Sequence, residues 1–184
     1  MNMLNLLTRG FKFVLLCSVF FAMQSATAAI TPRIDASRVS GVAPLSVFFD
    51  ASDTTSTATG KPFHEVHYAW DFGDTNAGNW QYGNLGRKDK NLASGPIAAH
   101  VFETPGTYTV RLTTKGLDGV TVSKSISVTV QNPDSVFSGN NTICFSSTGN
   151  YTSCPGGAQH ITTSSFQNAM DYATAGKRLL FRRG

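Results

Sequence analysis

An all-β sandwich of two layers is predicted for residues 30–131. Three observations predict it. Apolar residues recur at every second position in separate short runs. Gly, Pro, Asn and Asp punctuate those runs. No stretch between them carries the 3.6-residue spacing of a helix. One apolar phase per run means one buried face per sheet. About 100 residues are enough for one core but not two.

The runs follow in order. Ile30 to Ala36 is expected to be the first strand. Leu45, Val47 and Phe49 alternate and should face inward. Val66, Tyr68 and Trp70 alternate next, with His64-Glu65 as the ordinary start of that strand. Asp71-Phe72-Gly73-Asp74 then turns sharply on Gly73. Val101 and Phe102 end a strand before the turn at Pro105-Gly106. Tyr108, Val110 and Leu112 follow that turn. Val120 to Val130 is the last strand, with Val122, Ile126, Val128 and Val130 on one face. Gly116 to Gly119 makes the hairpin turn before it. By alternation Tyr68, Trp70 and Tyr108 are core residues. Trp70 should fill the centre, and Tyr108 is placed to act as a corner tyrosine.

Trp70-Asp71-Phe72-Gly73-Asp74, followed by His100-Val101-Phe102-Glu103-Thr104-Pro105-Gly106-Thr107-Tyr108, closely resembles the PKD (polycystic kidney disease) domain. The resemblance implies an immunoglobulin-like sandwich common in extracellular proteins. It implies ligands such as polysaccharides or cell-surface proteins, and it speaks only weakly about chemistry. It also raises calcium, because some domains of this kind bind that ion near the positions of Asp50, Asp53, Asp71 and Asp74. Clustered oxygen ligands suit a hard cation. The competing reading has those carboxylates cap backbone amides of the turns, and no cofactor is expected. The chain departs from the pattern in the 25 residues from Thr75 to Ala99. That segment carries Trp80 and Tyr82 among Asn, Gln and Gly. Exposed, they could stack on a sugar ring or anchor a protein contact. Packed down, they would only hold the loop.

Residues 1–28 read as a signal peptide. Arg9 and Lys12 precede an apolar run from Phe13 to Met23, and Ala26-Thr27-Ala28 supplies the small-x-small cleavage pattern. The run is too short to span a bilayer as an anchor. Bulky Leu16 before Cys17 argues against lipoprotein processing. Cleavage removes two cations, so the formal charge of +4 falls to +2 (4 − 2). No basic stripe remains for nucleic acid, because Arg87, Lys88 and Lys90 are offset by Asp89. The mature chain is expected to be secreted, monomeric and away from the membrane.

Cleavage also leaves Cys144 and Cys154, an even count in an oxidising compartment, and a disulfide is the natural pairing. A metal pair is the alternative, but His160 stands alone beside them. Residues 132–163 are rich in Ser, Thr, Asn and Gly and read as a loop-rich, disulfide-stapled connector. Asn140-Asn141-Thr142 and Asn150-Tyr151-Thr152 fit the glycan-acceptor pattern. Residues 164–184 change character. A helix capped by Ser164 or Ser165 should run to about Ala175, with Phe166, Ala169, Met170 and Ala173 as its stripe. Gly176 should stop it, and Lys177 to Arg183 should form a strand. This tail resembles the N-terminal cap of right-handed parallel β-helix, pectate-lyase-like proteins. It reads as the start of a truncated second domain.

No motif here carries catalysis. His64-Glu65-Val66-His67 has its histidines three apart, not the four a helical zinc site needs. Aspartates bound into turns are not available as a glycosidase pair across a cleft. The first functional expectation is therefore a non-catalytic extracellular binding or spacer module. The second is the leading end of a secreted β-helix lyase or hydrolase of polysaccharide, with its catalytic residues beyond Gly184. The third is a structural adhesin segment.

Overall fold

The computed structural model describes residues 29–81 and 89–183. The proposed signal peptide, and Tyr82, Arg87 and Lys88, lie outside the described residues. The strands are β1 (Ile30–Thr31), β2 (Asp35–Ala36), β3 (Ser40–Val42), β4 (Leu45–Asp50), β5 (Thr55–Ser56), β6 (His67–Asp71), β7 (Leu92–Ser94), β8 (Ile97–Phe102), β9 (Gly106–Lys115), β10 (Thr121–Gln131), β11 (Thr142–Ser146), β12 (Gln159–Thr162) and β13 (Arg178–Phe181). Among the described residues three short α-helices, α1 (Pro62–Glu65), α2 (Pro133–Val136) and α3 (Phe166–Met170), and a 3-10 turn at Gly139–Asn141 join them.

Two sheets make the sandwich. One has the order β2-β4-β8 and the other β3-β10-β9-β6-β7. Their inner faces supply the core: Val47 and Phe49 from β4, Tyr68 and Trp70 from β6, Phe102 from β8, Val110 and Leu112 from β9, and Val128 and Val130 from β10. Trp70 is 2% exposed and sits opposite Leu112 on one side and Ala93 on the other. Its ring lies 5.7 Å from that of Phe49, which stacks on Phe72 at 5.5 Å. Its indole Nε1 donates to the Gly95 carbonyl at 2.9 Å. The single polar atom of the ring is thereby satisfied, as burial requires.

Tyr108 closes the corner before β9. Its hydroxyl donates to the Thr104 carbonyl at 2.7 Å, and its ring lies 4.5 Å from Phe102. Tyr68 is buried, and its hydroxyl donates to the Pro62 carbonyl at 3.1 Å. Burial pushes its phenol above the usual value of 10.0, with a hydrogen bond to Thr54 opposing the shift.

Several elements differ from the sequence expectation. Ile30 to Ala36 is two strands. β1 pairs with β5 and β2 with β4, because Pro32 between them has no N–H for a ladder. His64-Glu65 does not start a strand. Pro62 opens the one-turn helix α1, with Glu65 at its end, and only His67 lies in β6. The 75–99 segment is shorter as a loop than its length suggests, since β7 and the start of β8 fall inside it. Alanine-rich Ile97-Ala98-Ala99 carries too little apolar contrast to show as a strand.

Beyond Gln131 the connector holds strands as well as loops. β11 is flanked by β12 and β13, and both pairings are parallel. Ile143, Phe145 and Ala169 form a small second core with Ile161 and Leu179 packed against it. Cys144 and Cys154 are bonded. Ser165 caps α3 by accepting from the Asn168 amide at 3.3 Å. α3 ends at Met170 instead of Ala175. Its ladder gives way to three-residue bonds such as Ala173 N to Met170 O, ahead of Gly176 at φ +79°. Phe166, expected in the stripe, is 67% exposed, whereas Ala169 is buried.

Candidate ligand-binding groove

The turn after β6 builds the site. Asp71 Oδ1 accepts from the Gly73 amide and from Asn91 Nδ2, each at 2.9 Å. Gly73 has φ +70°, and a Cβ there would lie 2.6 Å from the Thr109 carbonyl oxygen. A side chain is excluded at this position both by conformation and by contact. Asp74 follows and points inward. Its amide donates to Asn91 Oδ1 at 2.7 Å, and its Oδ1 accepts from the Asn76 amide. Its Oδ2 pairs with His100 Nε2 at 3.0 Å. Asp74 and His100 are 3% and 7% exposed. The imidazole stacks on Phe72 at 4.5 Å and meets Phe102 edge-on at 4.6 Å. One buried pair thus ties the loop to strand β8.

From that anchor the chain leads to Trp80. A bridge between Asn79 and Asp89 closes the loop, and the Lys90 amide donates to the Gly78 carbonyl at 3.0 Å. The Lys90 ammonium lies 5.3 Å from the centre of the Trp80 ring, within cation–π range. Trp80 is 46% exposed. It borders a groove of about 600 Å³ on the outer face of the β4–β8 pair. Phe48 and Val101 line that groove, 64% and 45% exposed, and Glu103 and Lys90 add charge to it. Asp74 and His100 form part of its wall.

Of the residues singled out from sequence, Trp80 is at the groove, and Tyr82 lies outside the described residues. Of the four aspartates, Asp50 and Asp71 cap turn amides, Asp53 is at the surface, and Asp74 pairs with His100. Asp50 Oδ1 accepts from the Ser52 amide at 2.8 Å. Hydrogen bonds from the Ser52 side chain and then its backbone hold the Asp50 carboxyl below its usual value. Asp53 is exposed in the following turn. Among the described residues, no group of three or more His, Cys, Asp or Glu is placed to hold a metal ion. His160, considered beside the cysteines, stacks on Tyr151 at 4.1 Å. The Asp74–His100 pair and the exposed Phe48 and Val101 were not foreseen. The signal was present: both apolar residues sit on the outward phase of strands whose other phase is core.

A two-sheet sandwich with turn-bound carboxylates and a corner tyrosine defines an immunoglobulin-like module. A family model described as the PKD domain matches residues 29–130, and the chain belongs to that family, whose modules are generally non-catalytic. Among solved structures, a carbohydrate-binding module of the β-sandwich superfamily is 24% identical with a TM-score of 0.42, covering 57% of this chain and 35% of its own. The PKD1 domain of Vibrio anguillarum Epp is 22% identical with a TM-score of 0.39, covering 57% of this chain and 96% of its own. The PKD domain of the human receptor SorCS2 is 18% identical with a TM-score of 0.35, covering 56% and 73%. No curated protein sequence matches the chain. No helix among the described residues is long and apolar enough to cross a membrane.

Proposed function

We propose that the chain is a secreted, monomeric binding module that works through the groove at Trp80, with an extracellular polysaccharide or cell-surface protein as its ligand. One observation carries this reading. A half-exposed indole, a phenyl ring and a valine share the outward side of a sheet whose other side is fully packed. Exposed apolar and aromatic side chains gathered on one groove are the kind of surface that ring-stacking recognition uses. The disulfide fits an oxidising compartment, and the signal peptide at residues 1–28 belongs to the same reading.

The test is retention on insoluble cellulose and chitin. Trp80→Ala with Tyr82→Ala should lower retention about tenfold, the effect of losing roughly 1.4 kcal/mol. The melting temperature should stay within a few degrees. Unchanged retention, or a large fall in melting temperature, sinks the proposal, since the second outcome would make these rings part of the core.

A second reading rests on β12-β11-β13. Parallel strands joined by crossovers, with Phe145 stacked on Phe181 at 5.1 Å, favour a solenoid, in which like residues stack from coil to coil, although here β11 and not β12 is the central strand. The sandwich would then be the leading module of a β-helix polysaccharide lyase or hydrolase. Sequence downstream of Gly184 decides it. Short strands recurring at roughly 20–25-residue intervals support it, and tandem sandwich modules would instead favour an adhesin.

A further inference from the structure

Among the described residues the two sheets of the sandwich end in the edge strands β2, β8, β3 and β7. β2, β3 and β7 are two or three residues long, whereas β8 runs for six. β4 lies along one side of β8. Two bonds fix which backbone groups face the other side. The Ser37 amide donates to the Phe48 carbonyl at 2.9 Å, and the Ala51 amide donates to the Pro96 carbonyl at 2.8 Å. Phe48 therefore turns its peptide groups to β2, and its partner Ala99 turns its own away from β4. By the same alternation Ile97 and Val101 direct their N–H and C=O groups off the edge of the sheet. No described residue pairs with them there. The side chains of Ile97, Ala99 and Val101 are exposed, and Ala99 separates the exposed Phe48 from the open edge. Proteins commonly protect a long edge with a lysine, a proline or a bulge. β8 has none of these, and its six pairs with β4 are unbroken. Acids bracket the apolar strip: Asp50 opposite Ile97 at one end and Glu103 just past β8 at the other, both exposed. The cation of the adjoining groove, Lys90, lies over Trp80.

We infer that β8 is a docking edge, which takes an extended polypeptide segment of a partner protein as the next strand of the β2-β4-β8 sheet. Strand addition draws its affinity from main-chain hydrogen bonds and its specificity from alternate side chains. Ile97, Ala99 and Val101 offer a donor and an acceptor each, at every second residue. An extended peptide repeats the matching groups at the same interval, and a sugar chain does not. The partner residue opposite Ala99 is large and apolar, because the alanine leaves room for it beside Phe48. Those opposite Ile97 and Val101 are apolar as well. The acids at both ends call for Lys or Arg flanking that apolar centre. The edge is distinct from the ring-stacking surface of Trp80, although Ala99 and Val101 line both.

Fluorescence anisotropy with the whole chain tests this. The probe is the labelled peptide KTVTFTVTK, whose central phenylalanine is set opposite Ala99. It should bind saturably with a Kd below about 1 mM. The acid-ended peptide ETVTFTVTE should bind about fivefold more weakly in low salt, and the gap should narrow as salt is added. N-methylation of the valines and the phenylalanine blocks the main-chain bonds and should abolish binding. Ala99→Pro removes the central donor, and an outward-facing edge position accepts proline. It should weaken the peptide about tenfold while the melting temperature stays within a few degrees. Ala99→Lys keeps the backbone but sets a charge against the apolar centre, and should weaken it similarly. Trp80→Ala should leave peptide affinity unchanged, so failure here is separable from failure of the groove. Absent binding, equal affinity for the N-methylated peptide, or full affinity in both Ala99 variants would each overturn the assignment. So would loss of binding in Trp80→Ala, which would move the peptide into the groove. A concentration-dependent dimer in sedimentation that Ala99→Lys abolishes would give the edge to a second copy of this chain and overturn it too.

Discussion

Trp70→Ala should abolish cooperative folding of the sandwich at 37 °C. The indole is the largest fully buried side chain, and it touches Phe49 from the opposite layer. Removing it forfeits the transfer energy and leaves a void that the two sheets cannot both close. Large aromatic truncations of this kind cost about 3–5 kcal/mol. The Gly95 carbonyl also loses its donor, adding about 1–3 kcal/mol if water cannot reach it. For a domain near 100 residues each kcal/mol lowers the midpoint by about 4–8 °C. A fall of at least 15 °C, or no transition at all, is the expected calorimetric result. Trp70→Phe keeps most of the ring and should lose far less.

Asp74→Ala should produce the second-largest loss, and it should be felt in binding as well as stability. The carboxylate is buried and bonded to His100 Nε2 and to the Asn76 amide. Truncation strands an imidazole between Phe72 and Phe102. Leaving one member of a buried pair behind costs about 3–5 kcal/mol when the pair is charged and about 1–3 kcal/mol when it is neutral. The same change frees the start of the loop that carries Trp80, so glycan retention should fall with the midpoint. Asp74→Asn preserves the size and one acceptor oxygen and should recover most of both. Retention unchanged in Asp74→Ala would mean that the pair does not position the groove.

Much of the sandwich is legible in the sequence because its strands have one wet face. Leu45-Ser46-Val47-Phe48-Phe49 and Tyr108 to Leu112 announce their inward phase by alternation. Gly73 announces its turn, because a glycine between two aspartates is a turn signal. β3, β5 and β7 are not legible. They are two or three residues long, and their pairing is decided by neighbours distant in sequence. The parallel sheet of β11, β12 and β13 is similarly hidden: β11 is buried along its whole length, so it shows no period. Of the groove, Trp80 could be singled out by its polar surroundings. Its wall could not, because Phe48 joins it only through the register that sets it opposite Ala99, and the Asp74–His100 bond spans 26 residues.

The chain contains two tryptophans, one buried and one half-exposed, and nitrogen-15 labelling reports both indole N–H groups in a single spectrum. The Trp70 signal should persist for hours in deuterium oxide, because exchange there requires the sandwich to open. The Trp80 signal should vanish early, and a soluble oligosaccharide such as cellohexaose or chitohexaose, or a protein ligand, should shift it while leaving Trp70 in place. Rapid exchange at Trp70, or ligand-induced shifts at Trp70 with none at Trp80, would contradict a packed core with its contact surface outside.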